Sequence, residues 1–158
     1  MNDPEQQPAR FPWPPVIYLS AIAIAATLGI FYPLTWLGSP LADILFAIGC
    51  LLIVGFVILD VQAMRTLHRA ETAILPTHGA DALVTSGPFA ISRNPIYLGN
   101  SMLLAGIALV TGNPWFLLLL AFACFLTQKL AIEPEERHLT MRFGKKYRDY
   151  QKRVRRWF

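Results

Sequence analysis

The sequence is poor in charge: Asp, Glu, Lys and Arg make up only 15% of its 158 residues, where ordinary soluble domains carry about a quarter. With 54% hydrophobic residues and a mean hydropathy of +0.43, it is neither a water-surrounded globule nor a disordered chain, which would lack apolar side chains to bury. Cysteine is scarce as well. Cys50 and Cys124 lie in apolar runs, far from any Cys or His at ligand spacing, so both read as buried free thiols rather than as a disulfide framework or zinc site. His68, His78 and His138 follow no regular spacing, and no metal is expected. No repeat or second domain is visible, so residues 1–158 read as a single integral-membrane domain.

What is abundant is uncharged length. Val16 to Leu37 holds no charged residue, enough for a helix to cross a hydrocarbon core of roughly 30 Å. The residues before it include Asp3 and Glu5 against Arg10, and the run exceeds the ~7–15-residue apolar region of a secretory signal, so it reads as mature structure. Gly38-Ser39-Pro40 separates it from a second run, Leu41 to about Met64, with Asp43 and Asp60 near its two ends. Asp60 stands a turn or so before Arg65 and is expected to pair with a nearby base. From Arg93 to Lys129 no charged residue intervenes, and Gly112-Asn113-Pro114 divides that interval into a helical hairpin. Spans at about 16–37, 41–64, 95–111 and 114–131 make an all-α polytopic membrane bundle of about four transmembrane helices. Ten of the fourteen basic residues lie from Lys129 onward, and the connections 38–40 and 112–114 carry none. The positive-inside rule then puts both termini and the 64–95 loop in the cytosol.

Chemistry concentrates in residues 83–158. Leu83-Val84-Thr85-Ser86-Gly87-Pro88-Phe89 contains a Gly-Pro turn, and Asn94-Pro95 reads as a helix start with Asn as N-cap and Pro in the first turn. Asn113-Pro114 repeats that dipeptide where no chemistry is expected. At Asn94 the helix opens on the cytosolic face, where its backbone N–H groups and dipole can receive an anion. Tyr97, Asn100 and Ser101 then share one helix face, as interhelical hydrogen-bond groups or as part of a ligand site, while Gly99 and Gly106 suit close packing.

After the hairpin, Leu139, Phe143, Tyr150 and Val154 recur at helical spacing opposite Lys and Arg, which predicts an amphipathic helix along the membrane surface. Glu136 projects into its apolar face and Glu135 to the edge. A carboxylate there needs a cation: Arg93 or Lys129 in a structural ion pair, or a cationic ligand. The basic tail from Lys145 to Arg156 is expected to touch anionic lipid headgroups rather than nucleic acid.

Together these motifs resemble the isoprenylcysteine carboxyl methyltransferase family, integral-membrane enzymes related to the phospholipid methyltransferases. The resemblance covers Leu83 to Phe158. The family pattern Arg-His-Pro-x-Tyr-x-Gly is met at Arg93, Pro95, Tyr97 and Gly99, followed by the Glu135-Glu136 pair, Phe143-Gly144 and the paired Tyr147 and Tyr150. Asn94 replaces the family histidine; an amide caps and donates but does not titrate near neutral pH. The resemblance implies S-adenosylmethionine as cofactor, with Glu136 first and Glu135 second for its ammonium. Leu83, Val84, Gly87, Asn94, Pro95 and Tyr97, with Gly99 and Asn100 beyond them, would hold its carboxylate and adenosine. It makes Arg93 and Glu136 the catalytic pair and implies a lipophilic acceptor from the bilayer, most like an isoprenylcysteine carboxylate. The alternatives are lipid N-methylation, as on a phospholipid, and a non-catalytic membrane scaffold or binding protein.

Overall fold

A computed structural model describes residues 12–70 and 82–158; Arg10 and His78 lie outside them. Helix α1 spans Trp13–Phe31, with proline in its first turn and no side-chain cap. Proline costs nothing there because those N–H groups have no intrahelical acceptor. The helix ends before the expected Leu37 because Pro33 disfavours helical backbone at Tyr32. Residues 32–37 instead fold over the hairpin turn: Trp115 Nε1 donates to the Tyr32 carbonyl at 2.8 Å, and Trp36 packs on Gly112, leaving no room for a Cβ.

Helix α2, Leu41–Arg69, runs more than a turn past the expected Met64 and carries His68 and Arg69 in its last turn, where positive charge suits the helix dipole. A short 3-10 turn at Gly87–Ala90 leads to α3, Pro95–Thr111, which ends at Gly112 with φ 62°. Asn113 then caps α4, Pro114–Thr127, accepting from Trp115 N at 3.1 Å.

The chain does not stop at the end of α4. Gln128–Ile132 forms a π-helical turn that passes into α5, Glu133–Phe143, giving one apolar rod over Pro114–Phe143. Pro134 accounts for the widened turn: its ring has no N–H and clashes with the carbonyl four residues back, so a regular α-turn cannot continue through it. Gly144, at φ 55°, breaks the rod before α6, Lys145–Arg153.

The helices lie in the order α2, α3, α4, α1, with α2 against α3 and α1 against α4 as the broadest contacts. Ile17, Tyr18, Ala21 and Ala25 of α1 pack on Leu104, Ala108, Phe116 and Ala123. The α2–α3 crossing is close because two glycines meet: a Cβ on Gly106 would lie 2.9 Å from the Gly49 carbonyl and 2.7 Å from Ile53. Such contact lets backbones approach in a membrane, where apolar burial gives no drive. Large apolar side chains such as Leu19, Ile30 and Leu51 point outward. Among the described residues three helices, α1, α2 and the Pro114–Phe143 rod, are long and apolar enough to cross a bilayer. The expected fourth span, α3, has 17 residues and is about 25 Å long. The protein is an all-α membrane helix bundle.

The C-terminal apolar face differs from the expectation. It is divided between α5 and α6 rather than carried by one surface helix, and α6 turns inward. Tyr147, Tyr150 and Val154 are buried together with Leu83, Leu139 and Phe143, so this face covers protein instead of lipid. Tyr150 donates to the Phe89 carbonyl at 2.6 Å, and Arg93 N donates to the Arg155 carbonyl at 3.0 Å beside a Ser92–Arg155 bridge. These bonds strap the end of the chain to the start of α3.

Candidate functional site

The strap, the opening of α3 and the first turns of α5 enclose a cavity of about 310 Å3. Its walls come from α1 at Pro14 and Pro15, from α2 at Asp60, Met64 and Leu67, and from the segment 82–84. The acidic pair and the start of α3, far apart in sequence, meet there. Tyr97 donates to Glu135 Oε2 at 3.1 Å, and Arg93 Nη1 lies 3.0 Å from Glu136 Oε1.

The two glutamates have different surroundings. Glu136 is held twice by Arg156, Nε to Oε1 at 3.1 Å and Nη2 to Oε2 at 2.7 Å, in addition to Arg93. Its side chain is 12% exposed and that of Arg93 11%, so this triad is largely removed from water. Geometrically, Arg93 Nη1 is within ion-pair range of Glu136 without being aligned as a hydrogen bond, and Arg93 Nε is buried with no partner. The fork on Glu136 raises the pKa of Arg156. Tyr147 beside the triad is pushed up to about 12, first by burial and then by Glu136, with Arg93 opposing.

Glu135 accepts from the Tyr97 hydroxyl, and among the described residues it makes no ion pair. Asp60 is similar. The expected pairing with a nearby base does not form among the described residues: the Asp60 side chain faces α3 and the cavity, and its Oδ1 is buried without a hydrogen-bond partner. Among the described residues, the cavity therefore has one neutralised carboxylate, two carboxylates without a cation, and an arginine N–H without an acceptor.

Of the residues singled out in the sequence, Leu83, Val84, Arg93, Asn94, Pro95, Tyr97, Asn100, Glu135 and Glu136 line the cavity, whereas Gly87 and Gly99 do not. Gly87 has φ 58° in a turn against Thr66, and Gly99 packs α3 on Phe56 and Asp60 of α2. Asn94 does not cap α3 with its side chain; its Nδ2 donates to the Arg156 carbonyl at 2.9 Å, which directs the amide to the strap. Ser101 serves interhelical bonding through the Tyr18 hydroxyl of α1, 2.6 Å away, and also donates within α3 to the Tyr97 carbonyl at 2.9 Å. Sequence reasoning missed Asp60 as a cavity residue and Arg156 as the second partner of Glu136. The only signal for Asp60 was an ionisable residue inside a span, which marks function by default. Arg156 was one of many tail arginines.

The molecule is thus a helical membrane bundle with an ionic cavity at one end of its spans. A family model described as phospholipid methyltransferase matches residues 44–146, from α2 into α6, and the chain belongs to that family of membrane methyltransferases. The comparisons with curated proteins and with solved structures gave no match. The family places the chain in the broad group of membrane methyltransferases to which the isoprenylcysteine carboxyl methyltransferase likeness also pointed.

Proposed function

We propose that the protein transfers a methyl group from S-adenosylmethionine to a lipophilic acceptor at the cytosolic face of its membrane. The observation that carries this reading is Glu135, a carboxylate without a cation, in one cavity with the opening turn of α3. The residues present fit the donor: Glu135 suits its ammonium, the free Arg93 Nε suits its carboxylate, and Leu83, Val84, Phe89 and Leu139 offer an apolar wall to the base. Bound there, S-adenosylmethionine supplies an electrophilic methyl group. The chain contributes orientation and exclusion of water, and direct displacement needs no enzyme nucleophile. Glu136, already neutralised by Arg93 and Arg156, acts by holding Arg93 in position, so Glu135 takes the first place for the ammonium.

Isothermal calorimetry on detergent-purified protein tests the reading. Saturable S-adenosylmethionine binding is expected for wild type, with Glu135→Gln weaker by at least about tenfold, the loss of one hydrogen bond to a charged group. A folded wild-type protein that takes up no S-adenosylmethionine would overturn it. The acceptor reading moves from an isoprenylcysteine carboxylate toward a phospholipid or related lipid, supported by the matched family. The basic face of α6 then rests against anionic headgroups, with both termini in the cytosol.

A further inference from the structure

If the donor's ammonium takes Glu135 as its counter-charge, the reading of the site on which the role of Asp60 rests, Asp60 remains without one. It borders the cavity from α2, its Oδ1 is shut off from solvent with no hydrogen-bond partner, and among the described residues it makes no ion pair. Burial of such a group is unfavourable unless a ligand satisfies it.

Its helix also stands on the lipid side. Val57, Ile58, Val61 and Met64, on the turns around Asp60, are exposed large apolar residues, so the stretch of α2 that carries Asp60 presents an apolar face to the bilayer. Depth agrees. Asp60 lies about 28 Å along α2 from Leu41, and Glu135 about 32 Å along the rod from Pro114, at 1.5 Å per residue. Both helices start at the same end of the bundle, where Trp36 packs on Gly112, so the two carboxylates sit at nearly one level.

We propose that Asp60 is the acceptor-side carboxylate: it holds the nitrogen of a lipid carrying a primary or secondary amine and takes the proton that nitrogen must lose. A carboxylate acceptor would be repelled there by like charge. An ammonium is attracted, but has no lone pair until it is deprotonated. The proton passes from the ammonium to the Asp60 carboxylate and on to water. The freed lone pair forms the new N–C bond as the methyl–sulfur bond breaks, and sulfur keeps that electron pair as a neutral thioether. The titratable groups sharing the cavity are Arg93, Tyr97, Glu135, Glu136, Tyr147 and Tyr150.

The test places the full-length protein in phosphatidylcholine nanodiscs with tritiated-methyl S-adenosylmethionine and either phosphatidylethanolamine or a prenylcysteine with a free carboxylate. Label is expected on the amine lipid and to survive mild base. Asp60→Asn should lower kcat about 100-fold or more, the usual worth of a general base, with S-adenosylmethionine Kd unchanged by calorimetry. Its residual rate should climb with pH as free amine accumulates, and phosphatidylethanolamine should raise the melting temperature of wild type but not of the variant. Base-labile label on the carboxylate probe, or Asp60→Asn turning over at the wild-type rate with donor binding intact, overturns the role of Asp60 and leaves the methyltransferase reading standing. A folded wild type that binds no donor overturns that reading instead. If Asp60→Asn does not fold, Asp60→Ser carries the test: turnover at the wild-type rate with donor binding intact overturns the proposal.

Discussion

At the scale of single residues, Glu135 and Glu136 are adjacent in sequence and opposite in circumstance. Glu136 is largely buried between two guanidinium groups, so Glu136→Gln leaves Arg93 and Arg156 close together without their anion. Breaking a buried pair from one side costs about 3 kcal/mol or more, and chemical unfolding in detergent should show that loss. Glu135→Gln removes a charge that no cation balances and should leave the unfolding midpoint unchanged or higher while donor affinity falls. The two substitutions thus separate scaffold from ligand contact. The sequence placed both residues in one feature but could not rank them, because Arg156 reaches Glu136 only through the strap. The same holds for the Asn-Pro pair: Asn113 caps its helix, whereas Asn94 spends its amide on the Arg156 carbonyl. Nothing local to the dipeptide distinguishes them.

At the scale of elements, the π-helical turn decides where the acidic pair points. Removing one residue's worth of widening rotates everything beyond it by about 100°. Pro134→Ala, which restores the missing N–H, is expected to let α4 and α5 join as regular helix. Glu135 and Glu136 would then turn out of the cavity. Circular dichroism should stay helical while calorimetry loses donor binding; full binding would show that another contact sets the register. The hydrophobic runs, hairpin turn and start of α3 were legible because they rest on local composition and on proline and glycine. The junction of α4 and α5 was not, since it depends on how a helix accommodates one proline.

Helix α6 makes a separate prediction. Burial pushes Tyr147 up to about 12 and Tyr150 above the ordinary tyrosine range, so the folded state favours neutral phenols. That stabilisation is complete below about pH 10, the unfolded value, and is lost as pH rises through the folded values. Unfolding midpoints should fall as pH climbs from about 10 to 12, and less steeply in Tyr147→Phe. An identical alkaline slope in that variant would remove Tyr147 from the account.

For the whole molecule, apolar length and charge asymmetry sufficed to read a membrane bundle, while the cavity could not be read. Its walls come from α1, α2, α3, α5, α6 and the segment before α3, and no single stretch of sequence describes that meeting. The Pro114–Phe143 rod is 30 residues long, about 45 Å, and so overshoots the hydrocarbon by roughly a third of its length. Its far portion carries the acidic pair, fixed at a set height above the hairpin turn. The bundle consequently works as a ruler laid across its host membrane. In vesicles of short-chain lipids the pair would ride clear of the headgroups, and in long-chain ones it would sink beneath them, so methyl transfer should peak at an intermediate acyl length. A rate indifferent to chain length would mean that the bundle tilts to compensate.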